Sequence, residues 1–170
     1  MTETALEPGR GDAIDRANLA RLLALLLPAA LLGGALGSEY IGGLTPCEMC
    51  YWQRYPHAVA IVLAGLAFIG PAQSPRSRAF TLLAALAIAI SGAIGVYHAG
   101  VELGIFEGLT TCTATASGTG ADLLKDIMSA PLVRCDQVQF SFIGISMAGW
   151  NAILSLGGAL AILLLSRRVK

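Results

Sequence analysis

The sequence predicts an all-α membrane protein: a bundle of four transmembrane helices joined on one side by two loops, the second carrying a short amphipathic surface helix. Three observations predict it. Charged residues are 13% of the chain and hydrophobic residues 55%, whereas a soluble domain carries about 25% charged residues; the mean hydropathy is +0.69. Four apolar runs follow one another. Lysine and arginine gather at alternate ends of those runs. The length of 170 residues suits one domain. With a net charge of zero and no basic patch, the chain lacks the footprint of a nucleic-acid binder.

Residues 1–16 are polar, with Pro8, Gly9 and Gly11, and read as a flexible tail. Residues 17–170 then form a single membrane domain. Its spans are predicted at about 19–37, 51–70, 79–99 and 140–165. Each is long enough to cross about 30 Å of hydrocarbon at about 1.5 Å per residue. The first run also has features of a secretory signal, with arginines upstream and small residues at Ala35 and Gly37. It is long for one, and keeping it gives an even number of spans with both termini on the same side.

Orientation follows from the basic residues. Arg10 and Arg16 precede the first span with Arg21 at its edge, Arg76 and Arg78 lie between the second and third, and Arg167, Arg168 and Lys170 follow the fourth. Those segments are expected on the cytoplasmic side. The loop 38–46 and the longer loop 100–139 are then outward. The second contains Ala121 to Ser129, with Leu123, Leu124, Ile127 and Met128 on one helical face and Asp122, Lys125 and Asp126 on the other. This fits a helix lying on the membrane surface, and equally an ordinary loop helix.

All four cysteines, Cys47, Cys50, Cys112 and Cys135, fall on the outward, oxidising side. Cys47 and Cys50 form a C-x-x-C pair at a helix start, preceded by Pro46. The dipole of a helix N-terminus favours a thiolate there. Redox chemistry is the reading this favours; a structural staple and half of a metal site are the alternatives. A zinc site wants a second close pair, and Cys112 and Cys135 stand far apart. Two cysteine pairs on one face suggest a relay by thiol–disulfide exchange, although the second pair also suits a stabilising disulfide.

Arg54 follows Cys50 by one helical turn on the same face. It is placed to stabilise a Cys50 thiolate, to hold a polar oxygen of a ring-shaped acceptor, or both; snorkelling to the headgroups is the plainer role. His98, at the outer end of the third span, suits proton exchange with such an acceptor or a simple interfacial position. Tyr51 and Trp52 suit an aromatic belt, and Trp52 is also placed to flank a ring. Pro56 should start or kink the second span, and His57 beside it reads as structural. Asn151 reads as interhelical glue, and Gly33-x-x-x-Gly37 as a close helix contact.

The run Pro46-Cys47-Glu48-Met49-Cys50-Tyr51-Trp52-Gln53-Arg54 resembles the P-C-x-x-C-x-x-x-R signature of the DsbB disulfide bond formation proteins. Tyr97 to Glu102, the Cys112/Cys135 pair and Ser146 to Asn151 are also similar to that family. The likeness extends from Arg16 onward, and the N-terminal tail departs from it. It implies a four-helix bundle in the bacterial inner membrane, with cytoplasmic termini and periplasmic cysteine loops. It also implies a thiol:quinone oxidoreductase that reoxidises a thioredoxin-fold, DsbA-like partner. Cys47, Cys50, Cys112 and Cys135 would be catalytic. Arg54, His98 and Trp52 would bind ubiquinone or menaquinone as electron acceptor, with no metal. Cys112 would form the mixed disulfide with the partner, Cys135 would attack Cys47, and Cys50 would be released facing the quinone. Two rivals stand beside this reading. One resembles vitamin K epoxide reductase, in which the C-x-x-C is expected late in the chain rather than early. The other is a membrane scaffold whose disulfides only staple its loops.

Overall fold

The computed structural model describes residues 8–108 and 133–167. Cys112 and the predicted surface helix at 121–129 lie outside the described residues. Four helices dominate: α1 (Pro8–Tyr40), α2 (Glu48–Ala67), α3 (Pro75–Glu102) and α4 (Met147–Ser166). Between α3 and α4 lies a two-stranded antiparallel hairpin, β1 (Ser141–Phe142) and β2 (Ile145–Ser146). The helices pack in a ring in which α1 and α3 each lie against both α2 and α4.

Three of the four, α1 (from Gly11), α3 and α4, are long and apolar enough to cross a membrane. α2 falls short of that composition. Its first half carries Glu48, Gln53, Arg54 and His57, and these polar residues lower the hydropathy that Ala58 to Ala67 would otherwise supply. The predicted second span is therefore a helix of the right length whose N-terminal half is chemically a site wall.

Helix boundaries differ from expectation in three places, each for a local reason. α1 begins at Pro8, so residues 8–16, expected as tail, are helical. Extending an existing helix costs far less than nucleating one, and the apolar run supplies the nucleus. α3 begins at Pro75, with Ser74 as N-cap accepting from Ser77 N and proline in the first turn. α4 begins at Met147 and not at Phe140, because residues 141–146 turn back on themselves. Ile143 and Gly144 have φ of 53° and 74°, as a two-residue hairpin turn with both central φ positive requires. Ser146 then caps α4 through Gly149 N. Pro56 lies inside α2, which runs on past it.

The core changes character along the bundle axis. At the end away from the cysteines it is made of alanine and isoleucine: Ala24, Ala60, Ala64, Ala84, Ile88 and Ile162 are fully buried. Side chains this small let helices approach closely. The same logic operates between α3 and α4, where a Cβ at Gly95 would sit 3.0 Å from Ala148 O and Ala152 N. Gly33 and Gly37, expected as the close contact, have nothing within 4 Å of such an atom. A small-xxx-small motif permits close packing but does not supply the neighbour.

Candidate functional site

Cys47 is the N-cap of α2. Its backbone is extended (φ −76°, ψ 170°) and its sulfur accepts from Cys50 N at 3.3 Å. One turn of helix then brings the Cys50 sulfur to 2.8 Å from that of Cys47. The two thiols share a proton unequally. The hydrogen bond to Cys50 and burial push Cys47 well above the ordinary thiol range. Cys50 is held below that range, first by the hydrogen bond from Cys47 and further by the Arg54 charge. The pair is therefore disposed as Cys47 thiol and Cys50 thiolate, the form that attacks.

A third sulfur comes from the loop before the hairpin. The sulfurs of Cys47 and Cys135 and a ring nitrogen of His98 all lie within 4.8 Å of one another. All three residues are buried, at 2%, 7% and 3% exposure. His98 Nε2 is 3.6 Å from Cys47 Sγ and 3.9 Å from Glu102 Oε1. Sulfurs at this spacing are suited to exchanging a disulfide between them.

Beside the pair, the ends of all four helices nearest the cysteines, with the loops between them, enclose a cavity of about 630 Å³. Its walls are mostly apolar, with Leu31, Phe142 and Trp150 among them, and a few polar groups converge on it: Cys47, Cys50, Arg54, His98 and Glu102. That is the usual make-up of a small-molecule site. Arg54 is anchored from α1 by an ion pair with Glu39 and by a 3.1 Å hydrogen bond to Ala35 O. Its guanidinium carbon lies 5.1 Å from the centre of the Tyr51 ring. Among the described residues, buried Arg54 Nε and Glu102 Oε2 have no hydrogen-bond partner.

The family model for disulfide bond formation protein DsbB matches residues 17–165. The chain belongs to the DsbB family. Among its relatives is disulfide bond formation protein B of Methylococcus capsulatus, 37% identical over 84% of this chain and 90% of the relative. The protein of the same name from Chromohalobacter salexigens is 30% identical over 78% of this chain and 80% of its own length. An uncharacterized protein of Rickettsia prowazekii is 27% identical over 84% and 83%. No solved structure matches the chain. DsbB membership makes the protein a disulfide-generating oxidoreductase, and with three membrane-span helices it is a membrane protein.

Of the expected DsbB site residues, Cys47, Cys50, Cys135, Arg54 and His98 converge. Cys112 is outside the described residues. Trp52 points elsewhere: it is 37% exposed and absent from the cavity wall, because its position places it across the helix from Cys50 and Arg54. The aromatic side chains on the cavity are instead Phe140, Phe142 and Trp150, the last two held together by the Trp150 Nε1 hydrogen bond to Phe142 O at 3.0 Å. Asn151 does bridge helices, as its sequence position suggested, but the rest of the buried polar network behind the cysteines was not anticipated. Gln53 lies 2.8 Å from His98 Nδ1 and accepts from Asn151 at 2.8 Å. Asn151 further meets His57 at 2.9 Å and Ser155 at 3.0 Å. Polar residues on apolar helices were the available signal, since intramembrane polar groups must find partners.

Proposed function

We propose that this protein reoxidises a periplasmic thioredoxin-fold, DsbA-like dithiol oxidase and passes the electrons through two cysteine pairs to a quinone. One observation carries the proposal: Cys47 and Cys50 both line a largely apolar cavity, and the Cys47 sulfur also neighbours that of Cys135. One side of the pair thus suits a lipid-soluble acceptor, the other a second cysteine pair. The cavity fits a quinone ring in size and lining, and Arg54 Nε and Glu102 Oε2 are polar atoms without partners beside it. Arg54, with the aromatic wall of Phe142 and Trp150, would hold the ring. A bound quinone supplies the acceptor for two electrons and two protons.

The cysteines carry out exchange. Cys112 takes the partner's thiolate as a mixed disulfide, and Cys135 leaves as thiolate. Cys135 then attacks Cys47; the Cys47–Cys135 bond forms as the Cys47–Cys50 bond breaks, and Cys50 becomes the thiolate. The partner's second thiol resolves its own mixed disulfide and frees Cys112. Cys112 attacks Cys135, restoring that pair and releasing Cys47. Two electrons from the partner now rest on Cys47 and Cys50 as a dithiol. Arg54 stabilises the Cys50 thiolate, and burial keeps water from the pair.

The charge pattern supports four spans, α2 included, with cytoplasmic termini, the arginine-bearing segments inside and the cysteine loops in the periplasm. The decisive experiment mixes the purified protein with a reduced periplasmic thioredoxin-fold protein and ubiquinone and follows quinone absorbance. The expected result is stoichiometric loss of quinone with disulfide formation in the partner. A protein whose disulfides merely staple its loops would leave the absorbance unchanged. Labelling of Cys112 in intact cells by a membrane-impermeant maleimide checks the orientation, and labelling only from the cytoplasmic side overturns it.

A further inference from the structure

We infer that Gln53 and Asn151 are positioning residues that hold His98 with its ring proton on Nε2, facing Cys47, so that a chain of hydrogen bonds runs in one direction from Asn151 to the Cys50 sulfur. The direction follows from two backbone carbonyls, which can only accept. Asn151 Nδ2 lies 3.2 Å from Ser91 O, which fixes which end of that amide is nitrogen. Its Oδ1 then accepts from Ser155 Oγ and meets His57 Nε2. The same Nδ2 donates to Gln53 Oε1 at 2.8 Å. Gln53 Nε2 donates to Met49 O at 3.1 Å, so it also donates to His98 Nδ1 at 2.8 Å. A ring nitrogen that accepts carries no proton, and a neutral imidazole then carries its proton on the other nitrogen. Flipping either amide would set oxygen against a carbonyl oxygen.

His98 Nε2 faces Cys47 Sγ, 3.6 Å away, with the Cys135 backbone and Glu102 Oε1, at 3.9 Å, as further acceptors for the ring. Cys47, receiving from His98, gives its own proton toward Cys50 at 2.8 Å. Aligned hydrogen bonds polarise one another, so the network adds to the stabilisation of the Cys50 thiolate from a distance. Other charged or titratable groups face the pair too. Arg54 on α2, paired with Glu39 of α1, favours the thiolate, Glu102 on α3 opposes it, and Cys135 lies beside Cys47 from the outer loop. From α4 the contribution is Asn151 alone, which does not titrate. The inference rests on Cys47 and Cys50 being the reacting pair, and not on which acceptor or partner the enzyme uses.

The test needs neither quinone nor partner. In full-length protein with Cys112 and Cys135 changed to serine and the remaining pair reduced, the rate of Cys50 alkylation by iodoacetamide is followed against pH. Gln53→Met removes the donor at similar size. Gln53→Glu, when ionised, accepts from Nδ1–H and turns the ring proton away from Cys47. The alkylation midpoint is expected to rise in both, by roughly one pH unit in Gln53→Glu, which is about tenfold slower alkylation below the midpoint. Nitrogen-15 NMR of the His98 ring in otherwise unaltered protein, assigned with His98→Asn, reads the tautomer without relying on any Gln53 variant folding. A proton on Nε2 is expected. A proton on Nδ1, or alkylation profiles that do not move in folded Gln53→Glu protein, would overturn the inference.

Discussion

The two ends of the helix bundle are built from different materials. Away from the cysteines, the helices meet mainly through alanine and isoleucine, with Ser77 and Thr81 the buried polar residues there among the described ones and the Ser77 hydroxyl bonded to Ala67 O. At the cysteine end, the same helices meet through Gln53, His57, Ser91, His98, Asn151 and Ser155, joined by hydrogen bonds between α2, α3 and α4. The first end needs only shape, and closely packed backbones provide it. The second needs each donor matched to an acceptor, because an unmatched polar group is costly where water is scarce. The contrast teaches that one end of α2 holds the bundle together while the other holds a site. It also explains why α2 is the helix that falls short of membrane hydropathy.

Substitutions at each end should separate the two roles. The largest effect belongs to Cys50→Ser. It is expected to abolish disulfide transfer in the quinone absorbance assay while leaving the thermal unfolding midpoint unchanged. At the other end, Ala84→Leu puts a large side chain into a fully buried position. A loss of about 1–3 kcal/mol of stability is expected, read by denaturant titration in micelles, with turnover per folded molecule preserved. If Ala84→Leu instead lowered turnover of the folded protein, the ends would not be independent. Arg54→Ala removes a charged donor from the cavity and leaves Glu39 without its ion pair. Charge-assisted hydrogen bonds contribute about 1.5–3 kcal/mol, so KM for quinone should rise about tenfold or more. Trp52→Leu sharpens the comparison from outside it. Away from the cavity wall, it should change KM and stability by no more than about 0.5 kcal/mol.

The sequence made legible what depends on near neighbours. Apolar runs marked the four helices, and C-x-x-C with Arg54 one turn later marked a close pair of sulfurs beside a guanidinium, since three- and four-residue spacings translate directly into contacts on a helix. Its errors came from contacts made at long range or by the backbone. Residues 140–146 are apolar enough to pass as helix, and only the turn at Ile143 and Gly144 separates them from α4. Among the described residues nothing lies within 4 Å of a Cβ at Gly33 or Gly37, and periodicity cannot say which face of a helix meets a neighbour. The network was hidden for the same reason. Gln53 finds His98 45 positions on and Asn151 98 positions on, and nothing local to Gln53 announces either.

The place of Cys47 between two other sulfurs has a consequence for traffic. Its sulfur stands 2.8 Å from Cys50 and within 4.8 Å of the Cys135 sulfur, but a sulfur forms one disulfide at a time. Bonds to the two neighbours therefore exclude each other, and under the proposed relay the site would behave as a turnstile: it would admit one electron pair, and the next would wait until Cys47 had turned back to Cys50. On that proposal, a faster supply of reduced partner would lengthen the queue at the Cys135 loop without putting a second pair through.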